Sequence, residues 1–281
     1  PVKLSQVAAV GWMIVCSLVF LGPMPAVGQP APDGWTVPRT SDGQPDFQGV
    51  WANNNATPLE RIEAWSGKEH LSQEEPSQVM AAAAEASDPG QDALFGDQLI
   101  LAAIEKTTAK SYDPPTGNYN QFWIANLTFN TDRTSLVIDP ADGRIPKVTA
   151  QAKARREQRS VHRREHPADT YTDRPLSKRC VSYRVPRIGP GYNSYFQIFQ
   201  SKDHVVVYQE IIHDARVIPS GGRAALPYSI RQLHSNSRAH WEGDTLVIDT
   251  SNYTAESGYR EATRDLQVTE RFTRVGFPDI L

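Results

Sequence analysis

After Cys180 the chain reads as a succession of short alternating strands, broken by Gly- and Pro-marked turns with no helical stretch between them, and this limits its fold more than any other feature. Parallel strands need a crossover of a dozen or more residues, usually a helix, so the spacing here predicts an antiparallel sheet. A strand is expected over 193–200 after a Gly-Pro-Gly turn. Another runs from His204 to Ile218, rich in Val and Ile until Pro219-Ser-Gly-Gly222 ends it. Residues 237–241 and 245–250 flank Glu242-Gly243-Asp244, a hairpin signal, and 266–275 supplies one more strand. Upstream, Arg133 to Asp139 also alternates and stops at the turn Pro140-Ala-Asp-Gly143. The expected fold is mainly β, an antiparallel barrel of the lipocalin or calycin kind or a sandwich, formed by about 133–275 with a few peripheral helices.

The helices are expected in two places. Residues 71–110 are dominated by Ala, Glu and Gln and interrupted by Asp88-Pro89-Gly90, which predicts two helices. Thr149 is a plausible N-cap for a basic helix reaching about Glu165, with Lys153, Arg155, Arg156, Arg159, Arg163 and Arg164 along it. Such charge runs ordinarily form a solvated face, and a partner-binding patch is the alternative.

The N-terminus reads as an export signal. Lys3 precedes an uncharged run from about Val7 to Leu21, which leads to Pro23, Pro25 and the small pair Ala26 and Gly28. The run is short for a membrane span of roughly 20 residues, and Cys16 lies inside it instead of at its end, unlike a lipid-attachment cysteine. Residues 1–28 are therefore expected to be a signal peptide, 29–46 an extended lead-in, and 47–281 one mainly β domain with helical insertions. The segment Phe47 to Trp51 is the first candidate for docking on the core. The protein is expected in the periplasm or outside the cell, with no stable membrane anchor after cleavage. Cleavage would leave Cys180 as the sole cysteine, which excludes an internal disulfide and a thiolate zinc cluster. Twenty-nine basic against 32 acidic residues, net −3, offers no footprint for nucleic acid. The Pro1 start and a last strand close to Leu281 suggest an incomplete chain lacking C-terminal strands.

Several stretches, "DGQPDFQGVWANNNATPLER", "NYNQFWIANLTFNTDRTSLVIDPADGRIP", "IIHDARVIP" and "HWEGDTLVIDTSNYT" followed by "VTERFTRV", resemble a family of secreted bacterial proteins from acidobacteria and proteobacteria. The resemblance covers most of residues 38–278. It implies secretion and further strands beyond Leu281, but that family brings no established activity or catalytic residue. His240 stands where the family pattern has a small or basic residue.

Signatures of other chemistries are absent: there is no G-x-S-x-G elbow, H-E-x-x-H pair, phosphate loop or dinucleotide fingerprint. General acid and base chemistry needs only a few side chains brought together from different strands. The best candidate is Glu210 to Arg216. If the strand continues through it, Tyr208, Glu210, Asp214 and Arg216 share one face and Gln209, His213 and Ala215 the other. His213 or Asp214 would be the acid or base, with Glu210 beside them and Arg216 or Arg133 holding an anionic group. A surface ion-pair ladder is the alternative. His213 and His234 lack the spacing of metal ligands, so neither a metal nor an organic cofactor is expected. A second cluster, Tyr112, Tyr119, Asn120, Phe122, Trp123, Tyr192, Asn193, Tyr195 and Phe196, suits the mouth of a pocket for a sugar, phenol or other flat ligand, or else core and rim packing. Within it Tyr119, Asn120, Trp123 and Tyr192, with Arg133 and Tyr208, are the expected binding residues. Two functions stay open: an exported lyase, isomerase or hydrolase without organic cofactor, or a lipocalin-like binding protein. Either has a small molecule as its partner.

Overall fold

The computed structural model describes residues 34–86, 97–105, 127–182, 193–259 and 261–275. Among these residues, seven strands form two antiparallel sheets. In the first, β1 (Gly49–Ala52), β2 (Tyr195–Gln200), β3 (His204–Gln209) and β4 (Asp214–Pro219) lie side by side in that order. In the second, β5 (Asn236–Glu242), β6 (Thr245–Ser251) and β7 (Val268–Thr273) form a meander. The mainly β expectation holds at this level. The hydrogen-bonded ladder ends at β4 and resumes at β5.

Period-two alternation explains how the sheets face each other. Ile198, Val205, Val207 and Ile218 from the first sheet pack with Ala239, Leu246 and Ile248 from the second. Phe47 is fully buried among them, its ring 5.6 Å from that of Trp241, and Trp51 joins it. The 47–51 segment thus docks on the core as expected. It also supplies β1, so the sheet begins upstream of residue 133. Near the other edge, Arg274 donates to the Asp46 carbonyl at 2.7 Å and its guanidinium lies over the Trp51 ring, joining the end of β7 to the entry of β1.

A separate apolar cluster gathers Ala56, Ile62, Trp65, Leu71, Leu127 and Phe129 around α1 (Glu75–Ala86) and α2 (Asp97–Glu105). These are the two helices expected in 71–110; the Pro-Gly break lies outside the described residues. The basic helix is α3 (Ala150–Glu165), and Thr149 caps it by accepting from the Ala152 amide at 3.2 Å. Among the described residues no helix is long and apolar enough to cross a membrane.

Two strand expectations need correction. Residues 133–139 form no strand. Their amides instead serve another loop, Thr134 donating to the Glu69 carbonyl, Leu136 to Pro58 and Val137 to Leu59. Buried Arg61 holds the loops together through the Thr134 hydroxyl at 3.0 Å and the Ala141 carbonyl at 3.1 Å. The turn ending at Gly143 is present, and its glycine is required: φ is +71°, and a Cβ would stand 2.5 Å from the Ser135 hydroxyl.

The second correction concerns 204–218, which is a hairpin. β3 pairs with β4 in the register Val205↔Ile218, Val207↔Arg216 and Gln209↔Asp214. The reversal falls at Glu210–His213, where Ile212 and His213 take φ of +55° and +46°. A β-branched residue in the left-handed region is a genuine outlier.

Candidate functional site

The hairpin changes which side chains meet. Opposed residues on paired strands project to the same face, so Asp214 and Arg216 join Val205, Val207 and Ile218 on the inner face. Tyr208 pairs with Ala215 and faces outward, 38% exposed. Glu210 belongs to the turn and is exposed; its carboxylate accepts the Tyr195 amide at 3.3 Å. His213 also lies in the turn with an exposed ring. Of the expected four-residue face, Asp214 and Arg216 remain together.

Asp214 meets a histidine from elsewhere. His234 Nδ1 lies 3.3 Å from Asp214 Oδ1, while the buried Ser182 hydroxyl donates to Oδ2 at 3.1 Å. The Asp214 side chain is 11% exposed and that of His234 46%, so a largely buried carboxylate carries a solvent-facing imidazole. The loop bearing His234 is held from several sides. Asn252 donates to the Leu226, Pro227 and Ile230 carbonyls, and Asn236 accepts the Leu226 amide. Arg231 donates to the Tyr253 carbonyl at 2.9 Å.

Deeper between the sheets, Arg216 makes a two-pronged ion pair with Glu270 of β7, at 2.6 and 3.1 Å. The two side chains are 9% and 17% exposed. This pair ties β4 to the opposite sheet, so Arg216 is engaged by a carboxylate of its own chain. Tyr253 lies fully buried nearby, and burial pushes its phenol up to about 12; Glu270 adds to that rise, while Ser235 and Arg216 oppose it. Among the described residues, Gln209 Oε1, which neighbours Asp214 in register, and Arg216 Nε are buried without a hydrogen-bond partner. Most buried polar groups are satisfied, so Gln209 Oε1 is an exception beside Asp214.

Arg133 lies apart from this cluster. It pairs with Glu69 at 3.0 Å and bridges to His70 beside the helical core. Tyr112, Tyr119, Asn120, Phe122, Trp123 and Tyr192 lie outside the described residues. Of the remaining aromatic candidates, Tyr195 is exposed on β2 and Phe196 packs against the inter-sheet core. No group of three or more His, Cys, Asp or Glu side chains suited to a metal occurs among the described residues.

Sequence reasoning missed His234 as the partner of Asp214, and also Ser182 and Tyr253. The missed Glu270 did carry a signal: alternation in β7 sets it on the same face as Val268 and Phe272, where a carboxylate demands a partner. The arrangement is a two-sheet β protein with a histidine–aspartate pair at the rim between its sheets. Compared with protein-family models, curated proteins and solved structures, the chain matches none.

Proposed function

We propose that this protein is an exported enzyme that acts on a small molecule by general acid–base catalysis without an organic cofactor, as a lyase, isomerase or hydrolase. The observation carrying this reading is the 3.3 Å approach of His234 Nδ1 to a largely buried Asp214 that Ser182 also fixes. A carboxylate on Nδ1 sets the tautomer and orientation of an imidazole and stabilises its cation, leaving Nε2 to take a proton from a bound molecule. His234, instead of His213, is then the base, and Asp214 positions it. Export is supported by the charged, apolar and small-residue order of 1–28 and by the resemblance to secreted proteins.

The test incubates the full-length protein with small-molecule extracts of spent culture medium and follows consumption by mass spectrometry. Conversion of a constituent is expected, with His234→Ala and Asp214→Asn each slowing it by roughly 10²–10⁴-fold, the usual share of a positioned acid or base. His213→Ala should leave it unchanged. Conversion that survives both site substitutions, or no conversion at all, overturns the proposal. Binding without turnover would instead support the lipocalin-like reading.

A further inference from the structure

Helix α3 keeps a charge pattern that its own stability disfavours. Arg155 and Arg159 are four residues apart, as are Arg159 and Arg163, and Arg156 stands three before Arg159. Like charges at these spacings destabilise a helix. Of the side chains of α3, only Ala152 is buried, so burial of an apolar face does not offset the repulsion.

The helix forms one wall of a groove of about 710 Å³, whose other side comes from residues 172–176, 255–256, 258 and 261–263. Arg155 donates to the Glu261 carbonyl at 3.0 Å and Arg159 pairs with the Glu261 carboxylate, fastening helix to loop. Five arginines and three carboxylates line the groove. All three carboxylates are already engaged: Glu261 by Arg159, Asp173 by His162 at 3.0 Å, and Glu256 by Arg179 at 3.5 Å. Arg156, Arg163 and Arg174 have no carboxylate partner among the described residues, and Arg164 donates only to the Ser160 hydroxyl. Arg156 and Arg163 are separated by about 10 Å along the axis, at ~1.5 Å per residue.

We propose that this groove binds an anion carrying several clustered phosphate groups, with Arg156, Arg163, Arg164 and Arg174 as its principal contacts. The guanidinium fork matches phosphate oxygens in pairs, and several forks around one concavity select a multivalent anion. The hydroxyls of Ser160, Thr172 and Thr263 also line it. Among the described lining residues there is no Phe, Tyr or Trp to stack bases, which disfavours single-stranded nucleic acid. The groove shares no residue with the Asp214–His234 pair, so its role is independent of the proposed catalysis.

The test is calorimetric titration of the full-length protein with inorganic tripolyphosphate at low salt, alongside a tricarboxylate, tricarballylate. Tripolyphosphate should bind, more weakly as salt rises and more tightly than the tricarboxylate. Arg156→Gln and Arg163→Gln should each weaken it roughly tenfold, as expected for loss of a charge-assisted contact. Arg163→Lys should recover part of that loss, and Lys202→Gln, away from the groove, should change nothing. Circular dichroism verifies folding, and these exposed positions tolerate substitution. No tripolyphosphate binding, equal binding of the tricarboxylate, or binding by folded Arg156→Gln and Arg163→Gln at the original affinity overturns the proposal.

Discussion

Ile212 is the residue on which the candidate site turns. Its φ of +55° places a β-branched side chain in the left-handed region, followed by His213 at +46°. L-residues other than Gly, Asn and Asp enter that region at a cost of roughly 1–2 kcal/mol. The reversal nevertheless brings Asp214 onto the inner face opposite Gln209, and strain of this kind persists where the surroundings over-determine it. Ile212→Asn should therefore stabilise the protein by about 1 kcal/mol, read as a higher urea midpoint; a lower midpoint would show that the Ile212 side chain contributes more than its backbone costs. Tyr253 provides a second measurement at this scale. Its folded value of about 12 exceeds the ordinary phenol value of 10, so the neutral ring contributes stability below about pH 10 that is lost as pH rises towards 12. Wild type should lose stability over that window more steeply than Tyr253→Phe, which alkaline denaturation curves would detect.

Among the elements, α1 has the clearest start. Glu75 in its first turn accepts the Ser72 amide at 2.6 Å and also pairs with Lys68. The Lys68 ammonium, and then the Ser72 contacts, hold the Glu75 carboxyl well below its usual range, at about 2. Because the folded value is depressed, the contribution is present above the ordinary glutamate value of 4.5 and is lost as pH falls towards 2. Wild type should exceed Glu75→Gln in helical stability at pH 6, and the difference should vanish near pH 2. A constant difference across that range would place the effect in packing instead. The loop that closes the arginine groove offers a steric counterpart. A Cβ on Gly258 would stand 2.0 Å from the Ala262 carbonyl oxygen, so Gly258→Ala must displace backbone and should lower the thermal midpoint.

At the scale of the whole molecule, Arg216 and Glu270 decide how the two sheets are joined. Removing one partner leaves a poorly solvated charge, which in buried pairs costs about 3–5 kcal/mol, whereas replacing both with apolar residues is often neutral. Arg216→Met and Glu270→Leu should each destabilise by about 3 kcal/mol, and the double variant by less than either alone. Urea unfolding of the four proteins checks this, and additive losses would mean the pair does not act as a unit.

Much of the architecture was legible in local chemistry. The two helices α1 and α2, the Thr149 cap, the Glu242-Gly243-Asp244 hairpin and the docking of Phe47 and Trp51 all follow from short-range propensity and period-two patterning. The β3–β4 reversal was not legible, because Glu210-Ile-Ile-His213 contains no Gly, Asn or Pro; cross-strand pairing imposes the left-handed backbone that sequence normally announces with glycine. Residues 133–139 failed in the opposite sense: they alternate like a strand, yet their amides are spent on the loop at 58–69, which lies far away in sequence. Local chemistry along the chain dictates which side chains alternate, where turns are permitted, and that Asp214, Arg216 and Glu270 carry charge. That Asp214 meets His234 and Arg216 meets Glu270 follows from sheet packing, because each pair spans segments whose separation is not set by spacing along the chain.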